Sequence, residues 1–283
     1  MGLQVSVSAE IARIVRDDPA NRLPGTEEPF FDSPLVGFAA ATDPLFDRYQ
    51  EIIGPFHWTP VELFEAEYGT EAPAPRTVVT WVLPITEATR KSNGREERFP
   101  SRSWAHTRNF GEKFNDVIRR GVVAFLEEKG FRAVAPLLCT NWKALVDPTV
   151  GLASTWSERH AAFAAGLGTF SLNDGLITER GIAHRLGSVV TDAPIPATPV
   201  EHGDDHRSNC AFYTAKGCGV CIGRCPVGAV SEQGHDKDAC REYSYGTVLD
   251  EVGERFGVDI AGCGLCQTKV PCEKRIPPVV RER

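Results

Sequence analysis

The sequence predicts an α/β unit followed by a smaller, cysteine-rich unit that binds metal. Three observations carry this. "TVVTWVLPI" (Thr77 to Ile85) is β-branched and apolar on both faces, the pattern of a buried strand. Phe110, Phe114, Val117, Ile118, Val122 and Phe125 recur at helical spacing, and "FRAVAPL" after Gly130 reads as a second strand, so strand, helix and strand alternate. Eight of the nine cysteines lie between Cys210 and Cys272.

Taken in order, the chain up to about Pro75 reads as helices and loops, with Val5, Ile11, Ile14 and Val15 forming one apolar stripe behind a Ser8 cap. The strand from Thr77 follows, and "EATRKSNGREERFPSRS" reads as a solvated polar loop. The long helix ends where Gly130 suits a C-cap. A third helix is expected from Ser157 to Ala165, stopped by Gly166, and "LGSVVTD" (Leu186 to Asp192) is a short strand. "APIPATPVEHGDD" has the prolines, small residues, glycine and acidic end of a linker, which divides the chain into residues 1–200 and 201–283.

A hydrophobic content of 42% and a charged content of 24% over 283 residues support a packed core. The net charge of -7 argues against a general binder of nucleic acid or anionic membranes, since both need a basic face. The N-terminus shows neither an apolar signal core nor a twin arginine, and no run of about 18 apolar residues occurs, so a cytoplasmic protein without a membrane span is expected.

The odd cysteine count and the lack of a signal peptide argue against a secreted disulfide scaffold, so clustered thiols point to metal. The first half reads Cys210-x7-Cys218-x2-Cys221-x3-Cys225-Pro226, and the second holds Cys240, then Cys263-x2-Cys266-x5-Cys272. Two-cluster ferredoxins run C-x2-C-x2-C-x3-C-P twice, and the fourth cysteine of each run ligates the other cluster. By that rule Cys210, Cys218, Cys221 and Cys272 share one [4Fe-4S] cluster, and Cys225, Cys240, Cys263 and Cys266 share the other. Cys210, Cys240 and Cys272 depart from the usual spacing. Two structural zincs, each held by four cysteines, are the other reading of the same thiols. Cys139, in "VAPLLCTNW", reads as a core residue. Gly166-Leu167-Gly168 is not a dinucleotide fingerprint, because position 171 is Ser and no strand directly precedes it.

"GLG", a following glycine, "LIT" and "TD-x-P" stand just ahead of the cysteine module, which itself contains "CREYSY" and "GCGLCQ". This pattern resembles the epoxyqueuosine reductase and reductive dehalogenase superfamily of corrinoid iron–sulfur proteins, over about residues 55 to 275. The resemblance implies a nitroreductase-like α/β domain with a C-terminal ferredoxin-like two-[4Fe-4S] domain. It implies electrons passing from an external donor such as a ferredoxin or flavodoxin, through the clusters, to a base-off cobalamin. Gly166, Leu167 and Gly168 would let backbone approach the ring, Asn173, Thr178 and Thr191 would bond its amides and tail, and Arg185 would meet its phosphate. Glu158, His160 and Tyr213 are the candidate acids or polar partners. Epoxyqueuosine reductases carry an aspartate shortly before the helix leading into GLG, where this chain has Leu152, with Asp147 displaced. That departure and the acidic charge point to reductive cleavage of a small molecule, with nucleic acid unlikely. A non-catalytic, ferredoxin-type electron carrier without corrinoid is the alternative, and a zinc-stapled interaction protein is a third reading.

Overall fold

The computed structural model describes residues 2–203, 205–214 and 217–281; Asp204, part of the expected linker, lies outside them. Helix α1 (Leu3–Asp17) buries Val7, Ile11, Ile14 and Val15 on one face. Its start lies ahead of the expected cap. Ser8 sits inside the helix and donates to the Gln4 carbonyl at 2.9 Å, while Val5 is exposed. The stretch read as helices and loops also holds a strand, β1 (Leu35–Ala40). Helices α2 (Leu45–Ile52) and α3 (Pro60–Tyr68) follow, the latter started by a Thr59–Glu62 capping box and a first-turn proline.

Strand β2 (Thr77–Pro84) is buried at every position. The polar segment after it is not a solvated loop. It forms α4 (Glu87–Gly94), with Thr89, Arg90 and Asn93 buried. Helix α5 (Arg102–Glu127) is the long amphipathic helix, capped by Ser101 Oγ accepting from the Trp104 N–H. "FRAVAPL" supplies only the two residues of β3 (Ala133–Val134), because Pro136 has no amide hydrogen for a ladder and opens a 3-10 turn instead. Then come the hairpin of β4 (Ala144–Asp147) and β5 (Gly151–Ser154), helix α6 (Glu158–Ala164), the pair β6 (Gly168–Phe170) and β7 (Leu176–Thr178), and β8 (His184–Thr191). The cysteine segment contains α7 (Ala211–Thr214), α8 (Val220–Gly223), the pair β9 (Val230–Ser231) and β10 (Gly234–His235), and α9 (Lys237–Arg241). It continues in a π-helical turn (Glu242–Thr247) and α10 (Val248–Phe256), which ends at the left-handed Gly257.

The main sheet has the order β1-β2-β8-β3 and is antiparallel at every pairing. The fold is therefore mixed helix and sheet, with helices on both faces. Val79, Trp81 and Leu83 pack toward α1 and α5, while Val78 and Val82 pack toward α2, α3 and α6. Each such buried aliphatic side chain contributes roughly 1.5–3 kcal/mol. Gly187 stands in register with Trp81, and a Cβ there would run into the indole. The cysteine segment is bound to this core by α10 packing on α5 and by polar ties from α4 and from the turn between β7 and β8. Arg90 Nε meets Glu273 Oε1 at 3.3 Å, Asn93 Nδ2 donates to Thr268 Oγ1 at 3.2 Å, and the Ile182 N–H donates to the Cys272 carbonyl at 2.9 Å. No helix among the described residues is long and apolar enough to cross a membrane.

Candidate active site

The cysteines are carried by short, tightly turned pieces of chain. Cys210 precedes α7, Cys221 sits in α8, Cys225 closes it ahead of Pro226, and Cys240 lies in α9, whose N-cap Asp236 accepts from the Asp238 and Ala239 amides. Cys263 and Cys266 flank Gly264, whose φ of +65° is left-handed and whose missing side chain leaves room for the Trp104 indole of α5. All nine cysteines are free thiols.

The thiols divide between two hollows. Cys210, Cys218, Cys221 and Cys272 line a small apolar pocket with Leu172, Ile177 and Ile182. Cys225, Cys240, Cys263 and Cys266 line a cavity of about 440 Å³ between the cysteine segment and the sheet half of the molecule. Electrostatic neighbours follow the same grouping. Burial, then Cys210, Cys221 and Cys218, pushes the Cys272 thiol up. Burial, then Cys263, Cys240 and Cys225, pushes Cys266 up, with Cys221 a smaller contributor. Burial raises Cys221 to about 11 and Cys263 to about 12. Cys240 is also pushed up by burial, but His235 beside it more than offsets this and lowers it. Metal-free, Cys221, Cys263, Cys266 and Cys272 are held in the neutral form, and metal binding must release their protons. Among the described residues, no three His, Cys, Asp or Glu side chains converge as a single bound ion requires. Four thiols around one hollow fit the donor set of a [4Fe-4S] cluster.

The far wall of the large cavity carries a buried charge network that sequence reasoning missed. Arg119, 1% exposed, meets Glu112 at 2.9 Å, Asp116 at 2.7 Å and Glu158 at 3.1 Å. Arg185 meets Glu112 at 2.5 Å. Burial pushes Glu112 up, but Arg185, Arg119 and Arg108 outweigh it and hold the carboxyl at about 2. Glu158 lines the cavity, accepts a short hydrogen bond from Ser188 Oγ, and has its carboxyl raised mainly by burial. A signal did exist: Arg108, Glu112, Asn115 and Arg119 are spaced as one helical stripe along α5. Arg108 reaches Tyr245 Oη at 3.3 Å across the cavity, and Tyr245 sits in the π-helical turn after Cys240.

The other expected residues are scattered. His160 is packed among Tyr49, His57 and Phe170, with Nδ1 2.7 Å from Ser157 Oγ, and does not line the cavity. Tyr213 stacks under Arg207 and beside Phe212 on the Cys210 side. Of the residues expected to hold a corrinoid, Asn173 and Arg185 alone line the cavity. Arg185 is committed to Glu112, and Asn173 Nδ2 donates to the Cys266 carbonyl at 3.0 Å. Gly166 is the left-handed stop after α6, and Leu167 packs into the α2–α6 core. Gly168 is needed because a Cβ would strike the Ile177 carbonyl across the β6–β7 pair. Thr178 Oγ1 donates to the Gly181 carbonyl and Thr191 Oγ1 to the Arg132 carbonyl. These seven residues do not fit a corrinoid as a set, and no chemical step is derived from them. Asp147 stands at the β4–β5 turn, where its carboxylate accepts from the Thr149 and Val150 amides.

No known family profile matches the chain. Epoxyqueuosine reductase of Bacillus cereus is 32% identical over 124 residues, 42% of this chain and 30% of that protein, so the chain matches under a third of that relative's length. The structure of epoxyqueuosine reductase from Streptococcus thermophilus aligns over 96% of this chain and 66% of that one, with a TM-score of 0.50 and 15% identity. A reductive dehalogenase structure, described for B12-dependent dehalogenation, aligns over 88% of this chain and 31% of that one, with a TM-score of 0.52 and 16% identity. A further neighbour is epoxyqueuosine reductase with a tRNA stem loop, at TM-score 0.47 and 20% identity over 98% of this chain and 68% of that one. Against the expectation of a small-molecule substrate with nucleic acid unlikely, that neighbour is itself bound to nucleic acid. Net charge averages the whole surface and does not describe this cavity, whose lining includes Arg108, Arg159, Lys237 and Arg241 beside Glu112, Glu158 and Asp174. The chain is thus similar in sequence to the epoxyqueuosine reductases, and its fold is that of these enzymes and of the reductive dehalogenases.

Proposed function

We propose that the chain is an iron–sulfur oxidoreductase that delivers low-potential electrons, through two [4Fe-4S] clusters, to a reducible group held in the 440 Å³ cavity. The observation that carries this reading is the division of eight thiols into two groups of four, each around its own hollow, one of which is that cavity. When bound, the clusters supply single electrons at low potential. Cys225, Cys240, Cys263 and Cys266 would hold the cluster beside the cavity, and Cys210, Cys218, Cys221 and Cys272 the one behind it. Trp104, seated against Gly264, fixes the loop of the cavity-side group. Arg119 and Glu112 keep Glu158 in place on the opposite wall.

The curated relatives are named for the reduction of epoxyqueuosine, so an RNA-borne group of that class is the first substrate to test. A base-off corrinoid rests on the resemblance alone, since only Asn173 and Arg185 of the residues expected to hold it line the cavity; about one cobalt per chain after production with cobalamin would support it. The division at residue 200 belongs to the same reading, with folding of the cysteine segment linked to cluster binding. The test is anaerobic reconstitution followed by iron and sulfide analysis. About eight irons per chain are expected for two cubanes. About four irons, or zinc in their place, refutes the reading. Full clusters with no turnover of any reducible RNA group would leave an electron carrier.

A further inference from the structure

We propose that Ser244 and His235 are positioning residues of the cavity-side cluster: both donate hydrogen bonds to the Cys240 sulfur and so make that cluster easier to reduce than the one behind it. The inference rests on the reading above, since it concerns the cluster that Cys225, Cys240, Cys263 and Cys266 would hold. Ser244 Oγ lies 3.8 Å from Cys240 Sγ, about one helical turn further along, and Ser244 is buried. A free thiol can supply the hydrogen in that pair. A sulfur bound to iron has none, so there the hydroxyl donates. His235 closes β10, with Nδ1 3.1 Å from Asp174 Oδ2. Its ring also hydrogen-bonds to Cys240. A carboxylate and an iron-bound thiolate only accept, so the imidazole offers an N–H to each.

The local backbone holds these groups in place. Asp174, in the turn between β6 and β7, has a left-handed φ of +58°, and its carbonyl accepts from Arg159 at 2.6 Å. That anchored turn aims the carboxylate that orients His235. Asp236 caps α9 and so fixes Cys240, and the π-helical turn that follows carries Ser244. The other thiols are served differently. Cys263 takes a backbone amide from Leu265, and among the described residues no side chain hydrogen-bonds to Cys221, Cys263, Cys266 or Cys272. The rear hollow is walled instead by Leu172, Ile177, Ile182 and Val270. Reduction adds one negative charge to a cluster. Hydrogen bonds to a ligand sulfur stabilise that charge, and an apolar wall does not. The two surroundings therefore order the potentials, and one electron from the reduced rear cluster runs downhill to the oxidised cavity-side cluster.

The reconstituted full chain and its variants are titrated anaerobically with dithionite, and both cluster signals are followed by electron paramagnetic resonance. The cavity-side signal is the one lost in Cys263→Ser. In the unaltered chain it should titrate at the higher potential. The double variant Ser244→Ala/His235→Phe should lower the equilibrium constant for its reduction by about tenfold, which is about 59 mV for one electron, and leave the other cluster unmoved. Ser244→Thr/His235→Gln keeps a hydroxyl and an N–H and should stay close to the unaltered chain. Either single change, Ser244→Ala or His235→Phe, should give part of the shift, and the singles serve if the double variant takes up no iron. The inference is overturned if the cavity-side signal titrates below the other in the unaltered chain, or keeps its potential in the variants. It also falls if both signals shift alike, if the donor-keeping variant drops as far as the double one, or if every variant loses the cluster. Iron is counted on the same samples. An unaltered chain without about eight irons sinks the reading above, whereas full clusters with unmoved potentials sink this inference alone.

Discussion

Mild acid should destabilise this protein through histidines that have no room for a proton. His57 is 2% exposed, stacks on Trp156 and lies edge-on to Tyr49, and neither ring nitrogen has a hydrogen-bond partner among the described residues. Burial lowers it from 6.5 to about 4. The unfolded chain therefore binds this proton more readily than the folded one. Stability is fully present above pH 6.5 and is lost as pH falls toward 4. At 1.36 kcal/mol per pKa unit the full loss is about 3 kcal/mol, and at pH 5 it is about 2 kcal/mol. The perturbation is His57→Phe, which keeps an aromatic ring on Trp156 and removes both nitrogens. Urea unfolding is compared at pH 7.5 and pH 5.0, anaerobically, in both proteins. Cluster lability in acid is common to the two and cancels in the difference. The variant should lose about 2 kcal/mol less than the unaltered chain between these pH values. Equal losses in both would refute the reasoning, because His57 would then carry no penalty for charging.

Three further outcomes follow from the contacts described. Arg119→Met should destabilise the fold by about 3–5 kcal/mol, because it strands three carboxylates around a buried site; denaturant melts measure it, and a loss under 1 kcal/mol would show that water neutralises them. Gly264→Ala forces a left-handed Cβ against the Trp104 indole, so the loop of Cys263 and Cys266 should shift and visible cluster absorbance should fall by about half, with secondary structure kept; undiminished absorbance would contradict the contact. Cys272→Ser should damage the cluster at Cys218 and Cys221 and spare that at Cys263, as read by electron paramagnetic resonance; loss of the other cluster's signal would reverse the grouping.

What the sequence made legible was what short-range pattern can carry. The uniform β-branched run of β2 and the helical period of α5 are local signals, and both elements are present. Strand β1 was hidden because Gly37, Ala39 and Ala40 have weak strand preference, and its place is set by pairing with β2. Helix α4 was hidden because its polar side chains read as solvated. Arg90 and Asn93 are instead buried by partners about 180 residues away, Glu273 and Thr268. The glycines around Leu167 were visible, but their purpose was not. A missing side chain serves a ligand or a neighbouring strand equally well, and here Gly168 makes way for the Ile177 carbonyl. The cation excess of the large cavity was invisible for a related reason: composition sums charge, and only the fold sorts it.

The sharing of each hollow between the two halves of the cysteine segment also bears on how the chain is made. Cys210, Cys218 and Cys221 leave the ribosome well before Cys272, and Cys225 before Cys263 and Cys266. Neither group of four is complete until the second half of this segment has been synthesised, so on the proposed reading neither cluster can be loaded before that stretch has emerged. In the interval the early thiols stand unprotected, and oxygen during synthesis should harm this protein more than oxygen after assembly.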